Sequence, residues 1–113
     1  LGDVVIKRVA TLLSSQVRSL DSLARLGGEE FMLLLVDCDR EHGLQIAEHL
    51  RQLVETHLKV VDGNAVALTV SIGMSYLEAG QSGTYDSLYV ASDRALYSAK
   101  QDGRNRVKVA TPI

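Results

Sequence analysis

Gly27-Gly28-Glu29-Glu30-Phe31 sets two glycines and two adjacent carboxylates ahead of an apolar run, Phe31 to Val36. Paired glycines let the backbone reach positive φ and allow a phosphate to approach the main-chain amides closely. Two acids beside such a turn offer hard oxygen ligands of the kind Mg²⁺ accepts, its remaining positions being filled by water and substrate phosphate. The chemistry implied is phosphoryl or nucleotidyl transfer. A bare string of this kind also has a plainer reading, a hairpin whose two glutamates are simply solvated.

Presenting those acids requires elements on either side. Val5, Ile6, Val9, Ala10, Leu13 and Val17 recur at helical spacing and predict an amphipathic helix from Val4 to Val17. Ser22–Leu26 and Glu30–Val36 flank the glycine pair as two strands of a hairpin. Leu44, Ala47, Leu50 and Val54 predict a helix from Arg40 to about His57. Asp62-Gly63-Asn64 then marks a second hairpin between strands Leu58–Val61 and Ala65–Tyr76. A polar loop leads to a helix from about Tyr85 to Gln101, stopped by Gly103, and Val107–Val109 adds a short closing strand. This order predicts an α+β, ferredoxin-like plan with helices packed on an antiparallel-rich sheet, lacking the first, central strand. Losing that strand would leave unpaired backbone groups on both neighbours. The expected consequences are low stability, pairing of the bare edge with a second chain, or a numbering that omits residues the protein has.

The 113 residues suffice for one domain, with 46% apolar and 23% charged residues. The longest apolar run is six residues, so no membrane contact is expected from this segment. A net charge of −2 gives no general field for a nucleic acid polymer, so any anionic ligand must be held by a local cluster. Cys38 is the single cysteine, which points to a reducing, cytoplasmic setting and to a buried small residue. The chain opens on Leu1 inside a motif and is read as part of a longer protein, which is free to carry a membrane anchor elsewhere.

The glycine and acid segment resembles the signature of the GGDEF family, the diguanylate cyclases, in its GGEEF variant. Other pieces follow in family order. Leu1-Gly2-Asp3 resembles the end of the G-H-x-x-G-D segment, and Val70-Ser71-Ile72-Gly73 resembles the T-x-S-x-G strand. Ala91 to Lys100 with Gly103-Arg104-Asn105 resembles the A-D-x-A-L-Y-x-A-K-x-x-G-R-N ending, with Ser92 inserted between alanine and aspartate. The resemblance runs from Leu1 to about Val109. It implies the C-terminal two-thirds of a single domain with a nucleotidyl cyclase or polymerase-palm type fold. It also implies condensation of two GTP into cyclic di-GMP by a homodimer, with Mg²⁺ or Mn²⁺ as cofactor.

The resemblance carries roles to particular residues. Glu30 corresponds to a metal-binding carboxylate, and Glu29 to the acid near the attacking hydroxyl, where it takes the proton or shares a metal. Gly27 and Gly28 leave room for the nucleotide. Asp3 matches an aspartate that accepts from guanine, and as a bare residue it reads equally as an N-cap. Lys100 and Arg104 match a phosphate-binding pair, beside the alternative of two bases complementing a helix C-terminus. Arg18 and Asp21 match an inhibitory R-x-x-D product site, beside the alternative of a solvated helix end. A second inhibitory arginine is replaced by His49, which predicts weaker product inhibition that strengthens as pH falls. The family's first-strand metal aspartate and guanine-reading asparagine have no counterpart here, so these residues alone lack two groups of the site. The spacing of His42, His49 and His57 fits a solvated face, and Tyr85, Tyr89 and Tyr97 are expected to anchor the last helix. An alternative function is an inactive domain that senses cyclic di-GMP, or that binds GTP to regulate an attached domain.

Overall fold

The computed structural model describes residues 7–9, 11–12, 15, 22–27, 29–57, 60–61, 63–65 and 69–110. Of the expected first helix, residues 7–9 and 11–12 are helical, and Val9 is buried in the core. Strand β1 (Ser22–Gly27) and β2 (Glu30–Val36) form the first hairpin, with Gly27 opposite Glu30 and a register irregularity between Arg25 and Gly27. Helix α1 (Arg40–His57) follows, and Asp39 caps it by accepting from the His42 amide at 2.8 Å. The predicted second hairpin is a small ribbon of its own, β3 (Val60–Val61) with β4 (Asn64–Ala65), turning through Gly63 at φ +79°. Strand β5 (Ser71–Leu77), helix α2 (Tyr85–Gln101) and strand β6 (Val107–Val109) complete the chain.

Two sequence expectations change here. Ala65–Tyr76 is not one strand. Its beginning, Ala65, pairs within the ribbon as part of β4, whereas β5 starts at Ser71 in the main sheet, where the Ser71 amide donates to the Glu29 carbonyl at 2.9 Å. The sheet is also not antiparallel-rich. Its order is β1-β2-β5-β6, and only β1 runs against its neighbour, while β2, β5 and β6 are mutually parallel. The ferredoxin-like plan places an opposing strand between β2 and β5. Among the described residues none lies there, and the two strands pair directly from Glu30↔Ser71 to Val36↔Leu77. Each is followed by a helix that carries the chain back, and a helical crossover makes successive strands parallel. The unpaired inner edges expected from a missing strand are therefore absent between β2 and β5.

Alternation along the strands divides the core into two layers. Phe31, Leu33, Leu35, Ile72 and Met74 meet Ala47, Leu50 and Val54 of α1 on one face. Met32 and Leu34 meet Leu88 and Leu96 of α2 on the other. The first three β5 residues on this second face, Ser71, Gly73 and Ser75, are small, and only Leu77 at the strand's end adds bulk to the cluster. The three small residues form a lane in which α2 lies close. A Cβ on Gly73 would sit 2.1 Å from the Ser92 carbonyl oxygen and 2.4 Å from the Leu96 nitrogen, so only glycine fits. Ser92 is not an insertion, since counting back from Asp93 it stands where the motif has its first alanine; it is buried against this lane, and α2 runs through it unbroken. The three tyrosines are a correction. Tyr85, Tyr89 and Tyr97 are 58, 39 and 62% exposed, because Leu88, Ser92, Ala95, Leu96 and Ala99 occupy the face of α2 that meets the sheet.

Candidate functional site

Glu30 is the first residue of β2 and belongs to the same side of the strand as Met32 and Leu34, the side that faces α2. The apolar row thus ends in a carboxylate beside the last turn of the helix. Lys100 reaches it with Nζ 3.3 Å from Glu30 Oε1, and Arg104 brings a guanidinium nitrogen to 3.6 Å from the same oxygen. The side chains of Glu30 and Lys100 are 23 and 33% exposed, so one edge of the cluster is open to solvent. Glu29, in the turn, is exposed, which resolves how two consecutive acids share one bend: only Glu30 is part of the pleat.

The end of α2 explains why Lys100 and Arg104 act together. Asp102 caps the helix, Gly103 follows at φ +116°, the Gly103 amide donates to the Lys100 carbonyl and the Arg104 amide to the Ala99 carbonyl at 2.9 Å. This is a Schellman closure, and it reverses the chain so that residues four apart point to one place. The spacing K-x-x-G-R is therefore a piece of helix-ending geometry as well as a binding motif. Arg104 and Asn105 continue in the left-handed region at φ 64° and 45°. Beyond them Lys108 donates to Asp102 at 2.6 Å, and this hydrogen bond holds the Asp102 carboxyl below its ordinary range.

Of the residues singled out by sequence, Glu30, Lys100 and Arg104 converge. Gly27 pairs with Glu30 across the hairpin. Asp3, Arg18, Asp21 and Gly28 lie outside the described residues, as does part of the expected first helix. His42 is hydrogen-bonded to Asp39 at 2.9 Å, and His49 is exposed on α1. Sequence reading passed over Arg51. Its guanidinium contacts Glu48 at 3.2 Å, Glu55 at 3.1 Å and the Asn105 Oδ1 at 2.8 Å, and the Glu48 hydrogen bond is the main cause of its raised pKa. The three and four residue spacings of Glu48, Arg51 and Glu55 were legible as a helix-face ion-pair row. The link to Asn105 was not.

Among the described residues no three His, Cys, Asp or Glu side chains form a metal cage. The donor set at the bend is two carboxylates, all hard oxygen, which fits a divalent cation that keeps waters and shares substrate phosphates. Among the described residues, no helix is long and apolar enough to cross a membrane.

Residues 1–106 match the family model described as the diguanylate cyclase GGDEF domain. The chain is 37% identical over 113 residues to diguanylate cyclase A of Treponema denticola, covering 96% of this chain and 29% of that protein. It is 38% identical over 109 residues to diguanylate cyclase DosC of Escherichia coli, covering 96% and 23%. It thus spans less than a third of the length of these curated relatives. Among solved structures it resembles the active GGEEF domain of a diguanylate cyclase from Vibrio cholerae, with a TM-score of 0.72 and 30% identity over 98% of this chain and 69% of that one. The GGDEF domain of DgcB from Caulobacter crescentus, solved in complex with c-di-GMP, gives a TM-score of 0.69 and 32% identity over 93% and 62%. With a bend, a helix end and a small-residue lane that all follow the family's motifs, this chain belongs to the GGDEF family of diguanylate cyclase domains.

Proposed function

We propose that these residues form the C-terminal two-thirds of a single GGDEF domain that converts two GTP into cyclic di-GMP. The observation that carries the reading is the meeting of Glu30 with Lys100 and Arg104 at the mouth of the Gly27 bend. In each half-reaction a 3′-hydroxyl oxygen bonds to the α-phosphorus of the other nucleotide, the α–β anhydride breaks, and pyrophosphate leaves. The hydroxyl proton passes to a base, for which Glu29 is the exposed carboxylate in the turn. Two GTP sites must face one another, so the working unit is a homodimer.

Lys100 and Arg104 neutralise the triphosphate, Arg104 being able to chelate it through two parallel hydrogen bonds. In the free domain both cations rest on Glu30, so an arriving triphosphate draws them off the carboxylate. Glu30 and Glu29 would hold Mg²⁺ or Mn²⁺, which when bound supplies charge neutralisation of the phosphates. Gly27 and Gly28 leave space beside the phosphates, Asp3 accepts from guanine, and Arg18 with Asp21 forms the site through which product inhibits. GTP and cyclic di-GMP are the small-molecule partners, in the cytoplasm.

The test is incubation of the full-length protein with GTP and Mg²⁺, with products separated by chromatography. Wild type is expected to yield cyclic di-GMP, and Glu30→Ala to abolish it while leaving the fold intact by circular dichroism. A wild-type protein that binds cyclic di-GMP but makes none would replace this reading with a product-sensing domain.

A further inference from the structure

Arg104 stands at φ 64°, a conformation that a non-glycine residue rarely adopts without being held. Two features on its flanks hold it. On one side the Schellman closure fixes its amide to Ala99. On the other, Asn105 at φ 45° is clamped by α1 through both ends of its side-chain amide. Arg51 donates to Oδ1 at 2.8 Å, and Nδ2 donates to Glu55 Oε2 at 2.8 Å. Arg51 also contacts Glu55 at 3.1 Å, which closes a triangle of three side chains, and Glu48 braces the guanidinium from the preceding turn. Arg51 is the most enclosed of these ion-pair partners, at 16% exposure, so the clamp is better shielded than a surface pair. Arg106 adds a bond from its Nε to the Arg104 carbonyl at 3.0 Å. None of these groups touches Glu30, yet all converge on the one loop whose shape aims Arg104 at it.

We propose that Asn105, locked by Arg51 and Glu55, is a positioning residue that sets Arg104 for the nucleotide triphosphate. The inference rests on the reading of Arg104 as a phosphate ligand. Asparagine suits the place because it tolerates the left-handed region and offers one donor and one acceptor in a single planar group. Arg51 needs the acceptor, and Glu55 needs the donor. Without the clamp, the loop is free to relax toward ordinary φ values and the guanidinium leaves the phosphate position.

The experiment uses the full-length protein and a non-reactive GTP analogue, with affinity read by calorimetry on folded samples. Asn105→Ala is expected to weaken the analogue about tenfold, and Arg51→Met to do the same, with the double variant no worse than either. In turnover the loss should fall on KM while kcat changes little. Asn105→Asp should also bind weakly, because it sets a carboxylate against Glu55. Asn105→Asp with Glu55→Gln restores one donor and one acceptor in swapped order, and affinity is expected to return. Full affinity in folded Asn105→Ala and Arg51→Met, or no recovery in the swapped pair, would overturn the proposal. Arg104→Ala separates the two levels. If it leaves affinity unchanged, the phosphate role of Arg104 falls and the clamp proposal with it; if it weakens binding while the clamp variants do not, only the clamp proposal falls.

Discussion

Glu30 is held by two cations in the free domain, and this could be read as a stabilising ion pair rather than a site. Magnitudes separate the readings. Its partners are 33 and 59% exposed, and pairs this open contribute on the order of 0–1 kcal/mol after solvent screening. Glu30→Gln removes the attraction and leaves Lys100 and Arg104 facing each other, so some loss is expected, yet less than about 1 kcal/mol by urea unfolding of the parent protein. A loss of about 3 kcal/mol or more would mark Glu30 as part of the scaffold. The same substitution should end cyclic di-GMP formation, since an amide is a poor ligand for a hard cation.

The contact between α2 and β5 sets where Lys100 ends up. Ser71, Gly73 and Ser75 leave the sheet surface low, and Ser75 Oγ donates to the Leu88 carbonyl at 2.8 Å, tying the first half of the helix to the strand. Thr84 and Ser87 close the helix start with a capping box, and Gly103 closes its end. Gly73→Ala places a methyl group into backbone atoms that cannot rotate away. Either α2 lifts off the sheet or the strand shifts. The expected cost is about 3 kcal/mol or more, seen as an early unfolding midpoint, together with weaker GTP binding as Lys100 moves from Glu30. Thr84→Ala should cost only about 1 kcal/mol, because it removes one cap and leaves the lane untouched.

Two exposed carboxylates stitch chain reversals that are distant in sequence, Asp39 at the start of α1 and Asp102 at the end of α2. Asp39 is held below its ordinary range chiefly by the His42 amide, and Asp102 by Lys108. Both carboxyls therefore bind protons less readily folded than unfolded. Their stabilisation is complete above the ordinary carboxylate range and is lost as pH falls through the lowered folded values. Circular dichroism along an acid titration should show helix signal falling modestly in this window, as expected of solvent-screened groups. Asp39→Asn with Asp102→Asn should make that limb shallower while lowering the neutral-pH midpoint. An unchanged acid limb would assign the transition to other groups.

Much of the domain was legible in residue order. Periodicity gave helix bounds at Arg40 and Tyr85, an apolar run behind a glycine turn gave the strand that begins at Glu30, and glycines marked three of the chain reversals, because these are local consequences of sterics and burial. The acids and bases of the site were legible as motifs. What residue order could not specify was which strand lies beside which. The same β2 and β5 segments suit an opposing strand between them or direct parallel contact, and pairing depends on which backbone edges are available once the chain has collapsed. Likewise Arg51 and Asn105 are 54 positions apart, and only packing of α1 beside the end of α2 brings donor to acceptor. Local geometry follows from short-range sequence; sheet order and the clamp on Arg104 follow from contacts that exist only when the layers have assembled.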